Sequence, residues 1–161
     1  MSIFKRFFVL SALLISLFFI ISCDVATVDT VPETKPTDTV LTGYWKSSFG
    51  DGFEITGSTF ISYADSEKTI TYKGDIIKVL KESATAGAYV MKIFESTEIY
   101  APKNGTYYVV RWKDYALKTV NEAAPYKEGA EYNGLSTQSQ AESEYTIANG
   151  YYGFFGAYEK Q

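Results

Sequence analysis

From residue 40 onward, apolar and polar positions alternate in short runs separated by Gly, Asn and Asp, a period of two that sends successive side chains to opposite faces of a strand. Residues 40–49 and 53–56 flank Gly50-Asp51-Gly52, and Asp-Gly supplies the positive φ angles of a tight hairpin. Residues 59–63, 69–73 and 76–81 predict three further strands, with Ile70/Tyr72 and Ile77/Val79 alternating against polar neighbours. Over residues 88–95, Tyr89, Met91 and Ile93 share one face, and Val90, Lys92 and Phe94 the other. Asn104-Gly105 predicts a turn from residues 98–100 into 106–113, where Tyr108, Val110 and Trp112 face away from Tyr107, Val109 and Arg111.

Residues 136–145, STQSQAESEY, are poor in β-branched side chains, and Thr137 with Gln140 three places on fits a capping box, so a short helix is expected there. Asn149-Gly150 ends it before a last aromatic strand over residues 151–158, where Gly153 and Gly156 mark bulges or close backbone approaches. Tyr107-Tyr108 and Tyr151-Tyr152 each lie on a predicted strand, so one ring of each pair is expected outside the core. About eight strands from roughly 120 residues predict an all-β domain. Its expected form is a small antiparallel up-and-down barrel with one short helix before the last strand, since closure removes exposed sheet edges.

The chain before residue 40 reads differently. Lys5 and Arg6 precede an apolar run over residues 7–21, the layout of a secretory signal peptide and shorter than the ~20 apolar residues a spanning helix needs. Ile20-Ile21-Ser22-Cys23 resembles the lipobox of bacterial lipoproteins, with isoleucine where leucine is commoner. That resemblance implies removal of residues 1–22, diacylglycerol on the Cys23 thiol and an acyl group, such as palmitate, on the new N-terminus. Two or more chains anchor stably where one holds weakly. It implies a place in the bacterial cell envelope, lipid-anchored to a membrane. Asp24 resembles an inner-membrane sorting signal whose rule varies, so inner or outer membrane stays open.

Residues 24–39, DVATVDTVPETKPTDT, carry no aromatic residue, and Pro32 and Pro36 interrupt them. Such a segment cannot bury enough apolar area to offset its ordering entropy, so residues 23–39 are expected to be a lipidated, flexible tether ahead of a domain over residues 40–161.

Gly43-Tyr44-Trp45 on the predicted first strand resembles the G-x-W motif of lipocalins, whose barrel is eight-stranded and often holds a small apolar molecule. Lipocalins place an arginine near the last strand over that tryptophan; here the only arginine past the signal is Arg111, which lies too early. Lys113-Asp114-Tyr115 matches the family's second motif in part, with lysine for threonine.

Charge and chemistry narrow the function further. Loss of Lys5 and Arg6 with the signal leaves a mature formal charge of −6, which argues against a nucleic-acid partner and against docking on anionic lipid. There is no histidine, Cys23 is committed to lipid, and neither a G-x-S-x-G elbow nor a phosphate-cradling glycine loop occurs. Hence no catalytic residue, metal ligand or cofactor is expected beyond the covalent lipid on Cys23, and the chain reads as non-enzymatic; an enzyme would need carboxylates clustered in a cleft. Among the acids, Asp51 is expected to make a turn, Glu54 to face solvent, and Asp65 and Glu67 to lie in a polar loop with no calcium-loop spacing.

The 14 tyrosines and 2 tryptophans are the remaining clue. Tyrosine suits binding surfaces, yet it is also a good strand former that covers a small sheet. Two readings follow. One is a binding module for a small apolar or carbohydrate ligand, with Trp45, Tyr89, Met91, Tyr108 and Trp112 lining the interior. The other is a surface or periplasmic protein-interaction domain, adhesin- or inhibitor-like, with a packed interior. An interior cavity of ~300 Å³ or more separates them.

Overall fold

The computed structural model describes residues 39–97, 101–130 and 132–161. The signal segment, Cys23, most of the expected tether and the strand expected at 98–100 lie outside the described residues. The rest forms a closed barrel in which eight antiparallel strands follow one another in chain order and β8 pairs back onto β1. The strands are β1 (Gly43–Ser47), β2 (Gly52–Thr56), β3 (Thr59–Tyr63), β4 (Ile70–Lys81), β5 (Gly87–Ser96), β6 (Tyr107–Ala116), β7 (Thr119–Ala123) and β8 (Gly156–Lys160). One short helix, α1 (Gln138–Glu144), precedes β8 among the described residues.

The pattern of alternation sets the inward face. Trp45 on β1 stands opposite Phe53 on β2, Ile55 opposite Phe60 on β3, and Met91 on β5 opposite both Ile76 and Tyr108. All of these are buried in one continuous core. Val90 and Val109 point outward yet are equally buried, because α1 packs its buried Ala141 over β5 and β6. The Thr137 hydroxyl caps that helix by accepting the Gln140 N–H at 3.2 Å. The return half of the expected capping box is absent: the Gln140 side-chain oxygen accepts from the Ser136 hydroxyl instead. Asn149 ends the helix by donating to the carbonyls of Ser143 and Glu144.

Four expectations need correction. The two strands expected at 69–73 and 76–81 are the single strand β4, bent by bulges beside Gly74 and Ile76 rather than turned at Gly74-Asp75. A Cβ on Gly74 would lie 3.0 Å from Ile93 Cδ1, so the glycine admits close approach of β5. The partner of β6 is β5, joined through Asn104-Gly105 by the Gly105 N–H to the Ile93 carbonyl at 2.7 Å. Strand β7 has no counterpart among the expected strands.

Finally, the last strand begins only at Gly156, and Tyr151 and Tyr152 are both buried. Strand β7 pairs with β6 from Arg111 onward, leaving the start of β6 without a strand neighbour on that side. Leu135 bridges Tyr107 there, and the Tyr152 hydroxyl donates to the Val109 carbonyl at 2.8 Å. The segment before β8 therefore plugs the gap with rings, at the expense of a positive φ of 65° at Tyr152.

Candidate functional site

The two ends of the barrel are built differently. At the end where the chain enters, Leu41 is buried, its N–H donates to the Tyr89 hydroxyl at 3.0 Å, and the Trp45 indole N–H donates to the Leu41 carbonyl at 2.9 Å. At the other end, the β1–β2 turn, the start of β4, the end of β7 and residues 154–158 surround an open cavity of about 570 Å³.

One wall of this cavity is aromatic. Phe53, Phe60 and Tyr72, on three successive strands, stack nearly parallel with ring centroids 5.4 and 6.0 Å apart. Tyr158 on β8 meets Phe53 edge-on at 5.3 Å. At the rim, Phe49, Tyr126 and Phe154 are 92%, 61% and 79% exposed.

Within these rings sit two carboxylates. Asp51 does form the turn, as expected: its carbonyl accepts the Ser47 N–H at 2.9 Å. Its side chain, however, turns inward, accepting from the Ser47 hydroxyl and from the Tyr158 hydroxyl, the latter at 2.9 Å. Glu122 reaches the same cavity from β7, where it alternates inward with Val120, and is 8% exposed. Burial pushes the Glu122 carboxyl up to about 8, the Asp51 charge adds to the rise, and a hydrogen bond with Tyr158 opposes it. The Tyr158 hydroxyl is raised well above its ordinary range by burial and then by the charges of Glu122 and Asp51, so it remains a donor.

The other acids are accounted for elsewhere. Glu54 accepts from Tyr63 and pairs with Lys68 on the outer surface, and Asp65 accepts the N–H groups of Glu67 and Thr69 in its loop. Among the described residues, no group of three or more His, Cys, Asp or Glu is placed to hold a metal ion.

Trp45, Tyr89, Met91, Tyr108 and Trp112 all face inward and are buried, but none lines the 570 Å³ cavity. They pack against one another and their neighbours: Tyr89 tilts over Trp112 at 6.3 Å, and Tyr108 stands edge-on to Tyr72 and Tyr145, each at 5.8 Å. The residues that do line it, Glu122 above all, escape a reading of the sequence because an acid at an inward position interrupts the apolar alternation that marks a strand. The available signal is the phase of TVNEA behind Leu117-Lys118, with Val120 and Glu122 two apart.

The described residues thus form an eight-stranded up-and-down barrel with two carboxylates in an aromatic mouth at one end. Comparison with protein-family models, with curated proteins and with solved structures finds no match to this chain.

Proposed function

We propose that this chain is a lipid-anchored, non-enzymatic binding module that takes a small ligand into the mouth of its barrel. The observation that carries the reading is the open cavity of about 570 Å³, inside the ~300–1,000 Å³ range of small-molecule sites. A filled interior would have favoured a protein-interaction domain instead. The stacked faces of Phe53, Phe60 and Tyr72 suit the flat apolar face of a small molecule or a sugar ring.

Kinship with lipocalins is supported by the strand order, by the helix before the last strand, and by Trp45 on β1. Lys160 on β8 holds its ammonium 5.6 Å from the Trp45 ring, where that family places an arginine. Anchoring rests on the sequence alone: Lys5, Arg6, the apolar run and Ser22-Cys23. The exposed rings of Phe49, Tyr126 and Phe154 favour a second reading, in which a protein partner docks over the mouth.

Native mass spectrometry of the full chain, purified from its own cells, tests the binding reading. A co-purifying small molecule is expected, and a clean unliganded mass moves the assignment to the protein-interaction domain. The anchor is tested by feeding cells a radioactive fatty acid: label is expected on the protein and lost in Cys23→Ser.

A further inference from the structure

Charge distinguishes this cavity from an ordinary apolar pocket. Asp51 and Glu122 line it, and among the described residues no Lys or Arg does. Of the cations around it, Lys113 holds its ammonium 4.4 Å over the ring of Phe155 in the cavity wall, and Arg111 lies over Tyr152 and pairs with Glu82. The hydroxyl between the two carboxylates belongs to Tyr158, and it has one proton, which it donates to Asp51 at 2.9 Å. Glu122, more than nine-tenths buried and directed into the cavity, must share that one hydroxyl with Asp51. Buried carboxylates are ordinarily paired or hydrogen-bonded, so two acids that share one donor can both ionise here only when a cation joins them. The adjacent wall presents ring faces, whose negative quadrupole attracts cations and rejects anions.

We infer that the ligand of this cavity is an organic cation, an ammonium group on a flat apolar body, with its charge between Asp51 and Glu122 and its body against Phe53, Phe60 and Tyr72. The inference rests on the reading of the barrel as a small-molecule binder. Five titratable groups face Glu122: Asp51 from the β1–β2 turn, Tyr158 from β8, Tyr72 from β4, Tyr108 from β6 and Tyr152 from the segment before β8. All are acids. An unliganded site therefore keeps Glu122 protonated at neutral pH, and an entering cation releases that proton to solvent. Affinity for a permanent or strongly basic cation rises as pH approaches 8.

The test is isothermal titration of the full chain with three molecules of similar size: 2-phenylethylammonium, 2-phenylethanol and 3-phenylpropionate. The ammonium is expected to bind roughly tenfold or more tightly than the alcohol, and the carboxylate more weakly than either. That preference is expected to grow between pH 6 and pH 8 and to vanish in Glu122→Gln, with near-ultraviolet circular dichroism confirming the fold. Asp51→Asn carries the same test if Glu122→Gln does not fold. Equal or tighter binding of the alcohol or the carboxylate overturns the cation assignment and leaves the binding reading standing. So does an ammonium preference that survives in the folded variants. No binding of any of the three at millimolar concentration overturns both.

Discussion

Glu122 illustrates how an unfavourable residue is retained by a fold. Its carboxyl ionises near pH 8 in the folded protein and near 4.5 when unfolded, so the unfolded chain binds fewer protons throughout that window. Stability contributed by the protonated carboxyl is full below about pH 4.5 and falls as pH rises toward 8. A tenfold difference in proton affinity between the folded and unfolded chain is worth about 1.4 kcal/mol, which puts the loss at a few kcal/mol. Glu122→Gln keeps the shape and cannot ionise. It is expected to match the parent in urea denaturation at pH 5 and to exceed it by roughly 1–3 kcal/mol at pH 8. Equal stabilities at both pH values would show that the carboxyl is not held in a dry site. The sequence shows that an acid is present but not which way it points, because direction depends on the phase of a five-residue strand. Asp51 poses the same difficulty: its backbone makes the turn its sequence promises, while its side chain serves the cavity.

At the scale of elements, hairpins whose two faces differ in polarity are legible, since one phase of the alternation is dry. Strand β3 and the β1–β2 hairpin emerge directly from Thr59–Tyr63 and from Gly50-Asp51-Gly52. Strand β4 is harder, because Gly74-Asp75 has turn composition, yet its neighbours need a glycine for packing against Ile93 and Met91. The same role is sharper at Gly87, where a Cβ would fall 2.5 Å from the Leu80 carbonyl and 2.8 Å from Trp112 Cζ2. Trp112 stands directly across the ladder from Gly87 and covers it. Gly87→Ala must displace either the ladder or the indole, and is expected to cost roughly 1–3 kcal/mol in thermal or denaturant unfolding. Gly57→Ala, with nothing within 4 Å, serves as a contrast only for crowding, since its φ of +59° adds backbone strain of its own.

For the molecule as a whole, the all-β class, the antiparallel order and the helix before the last strand can be read from pattern and turn residues, whereas the strand count of about eight is reached with β4 split in two and β7 missed. Closure can be argued only from the general avoidance of free edges. The cavity cannot be read at all. It arises where rings from different strands leave space at one end of the barrel and fill it at the other. Closure also has an uneven ladder. The β1–β8 seam joins only Trp45–Ser47 to Tyr158–Lys160, whereas β4 and β5 pair from Tyr72 to Lys81. Amide hydrogen exchange is expected to be faster at Ser47 and Tyr158 than at Ile76 and Met91, with the seam opening below the global unfolding free energy. Equal protection at the two places would mean that the barrel opens only as one unit.

The aromatic interior has an optical consequence. Tyr115 stands edge-on to Trp45 at 6.2 Å and to Trp112 at 6.1 Å, and from Trp45 a run of rings passes through Phe53, Phe60, Tyr72, Tyr108 and Tyr145, each within 6.1 Å of the next. Transition dipoles held this close and at fixed angles exchange excitation, so light absorbed by the tyrosines drains to the two indoles. Phe60 and Tyr72 belong both to that relay and to the cavity wall. Whatever settles against them alters the chiral coupling of the whole series, and the protein carries its own spectroscopic reporter of occupancy.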